Sequence, residues 1–171
     1  MAESSVVDEY WAEMQSLRTY AYYLTSYQES SEVTERNINI VLAIASSGSI
    51  AAWAVVKEYA AVWSVFIALT QVVSVVYKFL PFKSRIKPLA IASVEMSVLA
   101  DEAEKSWFNV SHGKLTASEV NDMRFSLRKR NSKIMSAFSN VSLPEKEKIF
   151  KAAKTKTEQY IKSMYKETSN G

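Results

Sequence analysis

Two runs without any charge decide the fold of this chain: NINIVLAIASSGSIAAWAVV at Asn37–Val56 and YAAVWSVFIALTQVVSVVY at Tyr59–Tyr77. At a rise of about 1.5 Å per residue, a helix made of either run covers roughly 30 Å, which is the thickness of the hydrocarbon core of a bilayer. Neither run has the charged stripe that the outer face of a helix in a soluble domain normally carries. The two runs therefore predict two transmembrane helices.

The sequence around the runs predicts how they are connected and oriented. Only Lys57 and Glu58 separate them, so the chain must reverse almost at once and form a tight hairpin. Arg36 precedes the hairpin and a group of basic residues follows it, whereas the turn holds one lysine. Because basic residues favour the cytoplasmic side, both termini should be cytoplasmic. Polar residues within the runs, such as Asn39 and Thr70, leave open the alternative of a buried hairpin in a soluble helical module.

Composition limits the rest of the fold. With three glycines and three prolines in 171 residues, the chain has few turn residues, which argues against a multi-stranded sheet. The absence of cysteine excludes disulfides and cysteine-ligated metals. We expect an all-α protein in three parts: an N-terminal cytoplasmic amphipathic helix at 1–36, a two-span transmembrane hairpin at 37–80, and a C-terminal cytoplasmic helical region at 81–171.

The predicted cytoplasmic parts contain two heptad seams, in which core positions alternate at spacings of three and four. Each seam implies a partner helix, and the two are natural partners of one another in a helical bundle or coiled coil. The first seam consists of Val7, Tyr10, Met14, Leu17, Ala21, Leu24 and Gln28, and the second of Leu89, Ala92, Met96, Leu99 and Ala103. Pro81 and Pro88 bracket a short basic connection, where the second transmembrane helix should end or kink.

Two further amphipathic helices are predicted after a break at 109–114. Thr116 and Glu119 form a capping-box signal, and Ser142, Pro144 and Glu145 repeat a start signal with the proline inside the first turn. The apolar stripes that follow these signals predict the inward faces. They comprise Val120, Met123, Leu127, Ile134 and Phe138, then Ile149, Ala153, Tyr160, Ile161 and Met164.

Small and polar residues within the two runs indicate contacts between helices. Small side chains let helices approach closely, and an amide in the middle of a span is costly against lipid, so Gln71 should face another helix or water. Two spans cannot enclose a conduit, so a pore would require several copies. The candidate helix-packing residues are Ala43, Gly48, Ala51, Ala52, Ser64 and Ala68, and the candidate pore-lining or interhelical residues are Asn39, Ser47, Gln71 and Ser74.

The charge distribution is asymmetric. Seven acidic and two basic residues precede the first run, whereas six acidic and twelve basic residues lie from Thr116 onward. We expect the two ends to attract each other, first of all within one subunit. The densest basic stretch is a candidate site for an anion or a partner, although such a run more often pairs with acids such as Glu29, Glu32 and Glu35. It consists of Arg124, Arg128, Lys129, Arg130 and Lys133.

No catalytic motif is present. His112, the single histidine, has no flanking carboxylate cluster, and the chain lacks a glycine-rich phosphate loop, a G-x-S-x-G elbow and an H-E-x-x-H pair. We therefore predict no enzyme activity, no catalytic residues, no cofactor and no metal.

Element order and hydropathy provide a resemblance to a known family. An aromatic-rich first helix with Arg18, a tight two-span hairpin and a helical cytoplasmic tail together resemble the SLATT family of small bacterial two-span effectors, from about Tyr10 to Phe138. The resemblance implies an antiphage effector that acts beside a sensor or a nucleotide-signalling protein and disrupts the inner membrane when triggered. It carries over no catalytic residue.

We therefore expect a membrane effector of the bacterial inner membrane that forms homo-oligomers and disrupts or perforates the lipid bilayer. Nucleic acid is not an expected partner of this effector. The alternative is a non-enzymatic membrane scaffold or accessory subunit whose basic helical bundle docks a protein or a nucleic acid.

Overall fold

The protein is helical wherever its structure is described. A computed structural model describes residues 2–52, 60–79, 82–138 and 144–165. These ranges contain no strand, and the all-α prediction is confirmed. The five helices are α1 (Ala2–Ala52), α2 (Ala60–Phe79), α3 (Phe82–Ser111), α4 (Ala117–Ser136) and α5 (Glu147–Tyr165).

The chain divides into two compact units. We call Met1–Glu29 together with Lys87–Gly171 the bundle unit, and Ser30–Ile86 the apolar unit. These boundaries lie six or seven residues away from the predicted ones at 36/37 and 80/81, and α1 passes the first of them without interruption. Since no proline occurs before Pro81 and no glycine before Gly48, nothing in this part of the sequence ends the helix.

Within the described ranges, no helix combines the length and the apolar character that crossing a bilayer requires. The end of the first charge-free run, at 53–56, and the predicted turn at Lys57 and Glu58 lie outside these ranges. The two-span hairpin is thus not confirmed and remains a prediction.

Four helical segments alternate in direction within the bundle unit. The Tyr10 hydroxyl donates to the Ala103 carbonyl oxygen at 3.0 Å, and the Ser93 hydroxyl donates to Gln28 at 2.7 Å, so α3 runs antiparallel to α1. Contacts of Glu9 with Arg124 and of Glu13 with Arg128 place α4 parallel to α1. The rings of Trp11 and Tyr165 meet at 5.0 Å, and Thr19 bonds Thr157 at 3.1 Å, so α5 is antiparallel. This is an up-down-up-down arrangement.

The two predicted seams meet in the core of the bundle unit. Val7 and Gln28 are half-buried at the ends of the first seam, and the other members of both seams are buried. The pairing of the two seams is therefore confirmed. The buried members are Tyr10, Met14, Leu17, Ala21 and Leu24 on α1, and Leu89, Ala92, Met96, Leu99 and Ala103 on α3.

The stripes of α4 and α5 are confirmed with one exception. Val120, Leu127 and Ala153 are buried, but Met164 is 58% exposed. The prediction is wrong at Met164 because the inward positions of α5 follow a spacing of four, from Ala153 through Thr157, so that Tyr165 faces the bundle in its place.

Local signals explain how the helices end and begin. Gly113, with φ 61°, lets the backbone adopt a Schellman motif in which Lys114 N–H bonds Asn109 at 3.0 Å and Gly113 N–H bonds Val110 at 3.1 Å. The predicted capping box of Thr116 and Glu119 is present at the start of α4.

Two start signals differ from their predicted places. α5 begins at Glu147, so Pro144 precedes the helix and does not lie in its first turn, and Ser142 is outside the described ranges. α3 begins at Phe82 and contains Pro88, so the predicted basic connection is part of a helix. Pro88 is the seventh residue of α3, so it lies beyond the four N–H groups that have no acceptor within a helix, and α3 lacks the hydrogen bond that an N–H at this position would donate to the carbonyl oxygen of residue 84.

Candidate functional site

The apolar unit has an uncovered surface. Among its described residues no apolar side chain is buried, and nine large apolar side chains are 44–63% exposed. Soluble monomers rarely expose a contiguous apolar patch, and such patches mark contacts with a protein or a membrane. The nine are Val33, Ile40, Val41, Ile44, Val65, Leu69, Val72, Val73 and Val75.

Helix α2 shows this exposure most clearly. Val65, Leu69, Val73 and Val75 are exposed together with Gln71. At about 100° per residue, the exposed positions extend over roughly half of the helix circumference. An amphipathic helix of a bundle buries its apolar side against its own chain, and α2 does not do so at its described positions.

The candidate pore-lining residues lie in this unit. Asn39 is exposed and lines a shallow groove of about 410 Å³ with Glu32, Glu35 and Arg36. Gln71 is exposed on α2 and Ser74 is half-buried there. Ser47 belongs to α1, but its side chain is outside the described set. A lining role for these four residues stays a prediction.

The structure describes the side chains of three of the six candidate helix-packing residues. Ser64 and Ala68 lie one turn apart on α2, on the same side as Gln71, and their side chains are exposed. Ala43 is exposed on α1. Gly48, Ala51 and Ala52 lie on α1 with side chains outside the described set. Ser64, Ala68 and Gln71 therefore share one exposed side of α2.

The basic stretch of α4 is mostly paired with acids of the same chain. Arg124 is buried and contacts Glu9, whereas the Arg128 Nε atom lies 2.6 Å from a Glu13 carboxylate oxygen. The acids from the N-terminal end thus meet the bases from the C-terminal end, as the charge asymmetry predicts. The partners are not the predicted Glu29, Glu32 and Glu35, because α4 packs beside the first turns of α1.

The remaining members of the stretch differ in their surroundings. Arg130 contacts Glu102 of α3, with its Nη2 atom 3.2 Å from the carboxylate, while Lys129 and Lys133 are exposed. An anion that bound this stretch would compete with internal carboxylates at three of its five positions. Binding at Lys129 and Lys133 would not meet that competition.

A polar cluster that the sequence did not predict joins α1, α3 and α5. The Arg18 guanidinium contacts Glu104, donates to Asp101 at 2.8 Å, and lies 5.0 Å from the centre of the Tyr160 ring. The Tyr160 hydroxyl donates to Glu104 at 2.8 Å and the Tyr165 hydroxyl at 3.0 Å. We call these five residues the Arg18 cluster. It attaches α5 to the other two helices by charge-assisted hydrogen bonds.

Protonation in this cluster follows from its surroundings. Burial raises the pKa of Tyr160 and of Tyr165, and the hydrogen bonds to Glu104 raise both further. Burial alone would lower the pKa of Arg18, but its hydrogen bonds to Asp101 and Glu104 outweigh burial and raise that pKa. The cluster is therefore held as neutral tyrosines beside a permanent cation, which suits a structural contact better than proton transfer.

The sequence singles out two members of this cluster, Arg18 in the first helix and Tyr160 in the apolar stripe of the last one. Glu104 gives no signal because charged residues flank most bundle seams. The useful signal would have been the positions of both residues directly beside the seam, Arg18 next to Leu17 and Glu104 next to Ala103. Only the register of α1 against α3 brings the two together.

Among the described residues, the single histidine contacts its neighbours in sequence. The His112 Nδ1 atom lies 2.7 Å from the Phe108 carbonyl oxygen and its ring packs on Phe108 at 4.3 Å. In the part of the chain that the structure describes, no three metal-ligating side chains come together.

Comparison with known proteins does not assign the chain to a family. No family model matches the chain, and no curated protein and no solved structure is similar enough to be a relative. The resemblance to the SLATT family thus remains a prediction from element order and hydropathy.

Proposed function

We propose that this protein is an effector of the bacterial inner membrane, active in antiphage defence, that forms homo-oligomers and disrupts or perforates the bilayer. In this proposal the apolar unit enters the membrane as a two-span hairpin, both termini are cytoplasmic, and the bundle unit is the cytoplasmic module. A sensor or a nucleotide-signalling protein would supply the trigger.

One observation carries the proposal: the nine exposed apolar side chains of the apolar unit. Fully burying a side chain such as valine or leucine contributes about 1.5–3 kcal/mol, so nine exposed ones represent a large unused driving force. The charge-free sequence around them, Asn37–Val56 and Tyr59–Tyr77, favours lipid over water as their surroundings.

The buried seams of the bundle unit do not contribute to assembly in this proposal. Its two seams pack against each other within one chain, so they are not available to join separate copies. Assembly would instead use other surfaces, among them the face of α2 that carries Ser64, Ala68 and Gln71. Small residues permit close approach there, and the amide can hydrogen-bond across the contact.

The first experiment combines two measurements on detergent-extracted protein: the mass of the oligomer, and the release of a dye from liposomes by the same particles. We expect an oligomer larger than a dimer that releases the dye. Recovery of the protein in the soluble fraction without detergent would contradict the proposal.

A matched pair of variants identifies which surface meets lipid. Val72→Lys places a charge in the exposed surface of α2, and Phe125→Lys places the same charge at a similarly exposed apolar position of α4. A lysine near the bilayer centre costs about 2.5–3.5 kcal/mol in insertion, so Val72→Lys should abolish dye release while Phe125→Lys retains it. Equal behaviour of the two variants would contradict a lipid-facing α2.

Gln71→Leu tests the lumen. If Gln71 lines a water-filled pore, the variant should keep the oligomer mass and lose most of the ion flux, because a hydrophobic constriction dewets. Ser64→Leu on the same face is the control for a packing role, since it should change the oligomer mass. Unchanged flux with unchanged mass in Gln71→Leu would remove Gln71 from the lumen.

The exposed Lys129 and Lys133 favour a second candidate function, a membrane scaffold whose bundle docks a partner. Overproduction separates the two, because an effector should arrest growth and a scaffold should not. Arrest that disappears in Val72→Lys would support the effector, whereas harmless expression of a non-leaking dimer or monomer would support the scaffold.

A further inference from the structure

A shallow groove runs along one face of α1, where the charged part of the helix meets the first charge-free run. Its volume is about 410 Å³. The residues that line it are separated by three, four, seven or eight positions, so they share one side of the helix. We call this set the α1 groove, and it consists of Glu32, Glu35, Arg36, Asn39, Ile40 and Ala43.

The chemistry of the α1 groove changes in a fixed order along the helix axis. Two carboxylates come first and a guanidinium follows; the amide of Asn39 is next, and the apolar side chains of Ile40 and Ala43 come last. All six side chains are exposed except that of Glu35, which is half-buried. The α1 groove thus presents negative charge, positive charge, a neutral hydrogen-bonding group and hydrocarbon in succession.

We propose that the α1 groove binds a zwitterionic phospholipid whose headgroup ends in a primary ammonium, as in phosphatidylethanolamine. From its outer end inward, such a lipid consists of an ammonium, a phosphate, glycerol esters and acyl chains, which complement the groove in the same order. The ammonium donates to the carboxylates of Glu32 and Glu35, and the Arg36 guanidinium donates to the phosphate. The Asn39 amide donates to an ester oxygen, and an acyl chain packs on the apolar end of the groove.

The heights of these residues agree with the layers of a bilayer. This inference rests on the proposed function, in which the hydrocarbon core begins with the charge-free run at Asn37. For a helix along the bilayer normal, a rise of about 1.5 Å per residue places Arg36 about 1.5 Å outside the core and Glu32 about 7.5 Å outside it. A bilayer of about 40–45 Å with a core of about 30 Å has headgroup layers of about 5–7.5 Å. Arg36 therefore lies at the inner edge of this layer and Glu32 at its outer edge.

The charges of the α1 groove select among phospholipids. Two carboxylates and one guanidinium leave a net negative charge, which disfavours an anionic headgroup such as that of phosphatidylglycerol. The quaternary ammonium of phosphatidylcholine has no N–H group and cannot donate to the carboxylates, whereas a primary ammonium has three N–H donors. A headgroup with a primary ammonium therefore matches the groove best.

The polar side chains of the groove are accessible to a headgroup. Arg36 takes part in none of the ion pairs between described residues, although Glu32 precedes it by one turn. Glu32 and Glu35 each have another interaction, but a carboxylate offers about four acceptor positions and can meet an ammonium in addition. In this assignment Asn39 faces a lipid and not a lumen, so the lining of a pore falls to α2.

Native mass spectrometry of the full chain in detergent tests the site. The probes are phosphatidylethanolamine, phosphatidylcholine and phosphatidylglycerol with the same acyl chains. The natural chain should bind phosphatidylethanolamine about tenfold more tightly than phosphatidylcholine, which corresponds to about 1.4 kcal/mol. Equal affinities for these two lipids, or tightest binding of phosphatidylglycerol, would overturn the proposal.

Two variants separate the carboxylates from the guanidinium. The double variant Glu32→Gln with Glu35→Gln should lose the preference for phosphatidylethanolamine and keep its affinity for phosphatidylcholine, because only the primary ammonium loses its acceptors. Arg36→Gln should instead weaken the binding of both lipids about tenfold, because both contain the phosphate. A preference that persists in the double variant, or unchanged binding in Arg36→Gln, would also overturn the proposal.

A matched control removes two carboxylates elsewhere. Glu145→Gln with Glu158→Gln changes two exposed side chains of the bundle unit and leaves the α1 groove intact, so the preference for phosphatidylethanolamine should remain. Its loss in this control would attribute the preference to net charge and overturn the site. Circular dichroism should show unchanged helical content in all variants, since none of the substituted side chains is buried.

The outcomes separate this inference from the proposed function. A preference for phosphatidylethanolamine that depends on Glu32 and Glu35, in a protein that releases no dye, would support the site and contradict the effector. Dye release by an oligomer that binds phosphatidylethanolamine and phosphatidylcholine equally would keep the effector and overturn the site.

Discussion

The bundle unit and the apolar unit are both helical, but they differ in how far their apolar side chains are buried. In the bundle unit, leucine, methionine and tyrosine side chains are buried against three other helices of the same chain. In the apolar unit, nine large apolar side chains are exposed and no described one is buried. The sequence difference behind this is the charge pattern: the helices of the bundle unit carry charged residues beside their apolar ones, whereas the runs at 37–56 and 59–77 contain no charge.

Polar groups show the same difference. In the bundle unit, Arg18, Arg124 and Arg128 each contact a carboxylate from another helix. In the apolar unit, Gln71 is exposed on a helix without charges between Ala60 and Tyr77. Specific partners fix the register of the bundle, whereas the apolar unit exposes large apolar side chains at its described positions.

The largest expected effect comes from removing a core side chain of the bundle. Leu17→Ala should lower the free energy of unfolding by about 2–5 kcal/mol, because Leu17 is fully buried and the cavity would not close. Leu69→Ala removes the same atoms from the exposed surface of α2 and should change it by less than about 0.5 kcal/mol. Denaturant unfolding followed by circular dichroism measures both. Equal losses would mean that the two units do not differ in the way described.

The second effect tests the Arg18 cluster. Arg18→Ala leaves Glu104 without its cation in a partly buried place, so we expect a loss of about 2–3 kcal/mol. Arg130→Ala breaks a contact with Glu102 in which both side chains are about half exposed, and it should cost less than about 1 kcal/mol. The same unfolding assay applies, and a smaller loss for Arg18→Ala than for Arg130→Ala would contradict the importance of the cluster.

The third effect depends on pH. The pKa values of Tyr160 and Tyr165 are raised in the folded state, so their contribution to stability is complete below the unfolded value of about 10 and is lost as pH rises above it. Unfolding midpoints of the natural chain should fall between pH 9 and about pH 11.

A double variant isolates these tyrosines from other groups. Replacing both by phenylalanine should cost about 1–2 kcal/mol at pH 7 and flatten the decline above about pH 10, because no hydroxyl is left to ionise. Lysines titrate in the same range but are common to both proteins. A decline of unchanged steepness would show that the tyrosines do not cause it.

The smallest effect concerns the start of α4. Thr116→Ala removes the side-chain cap and should cost about 1 kcal/mol. Thr116→Ser keeps a hydroxyl acceptor and should be nearly neutral. The capping hydrogen bonds lower the pKa of Glu119, so this contribution is present at neutral pH and is lost as pH falls below about 4.5. Thermal melts at pH 7 and pH 3 should show a smaller difference between Thr116→Ala and the natural chain at pH 3.

Much of the bundle could be predicted from the sequence because its signals are local or periodic. The seams through Leu17 and Leu99, the break at Gly113 and the capping box at Thr116 depend on spacing that a single helix or turn fixes. The extent of α1 was harder to predict, because hydropathy changes near Asn37 while helix propensity does not. Helix ends follow propensity and caps, so a change in hydropathy does not have to end a helix.

The candidate sites could be predicted only in part. The basic stretch of α4 was evident from composition, but its pairing with Glu9 and Glu13 required the direction of α4 relative to α1. The Arg18 cluster joins residues that are more than 80 positions apart in the sequence, and no local pattern contains that information. The polar residues of the apolar unit were identifiable as unusual, but the sequence does not supply their partners.

The sequence by itself determined the helical class, the seams, the caps and the contrast between charged and charge-free helices, because each depends on residues within one or two helical turns. Tertiary structure alone decided which acid meets which base, that α5 attaches to α1 and α3 through Glu104, and that one face of α3 remains uncovered. These features depend on the register and direction of whole helices, which arise from packing many side chains together and not from any one segment.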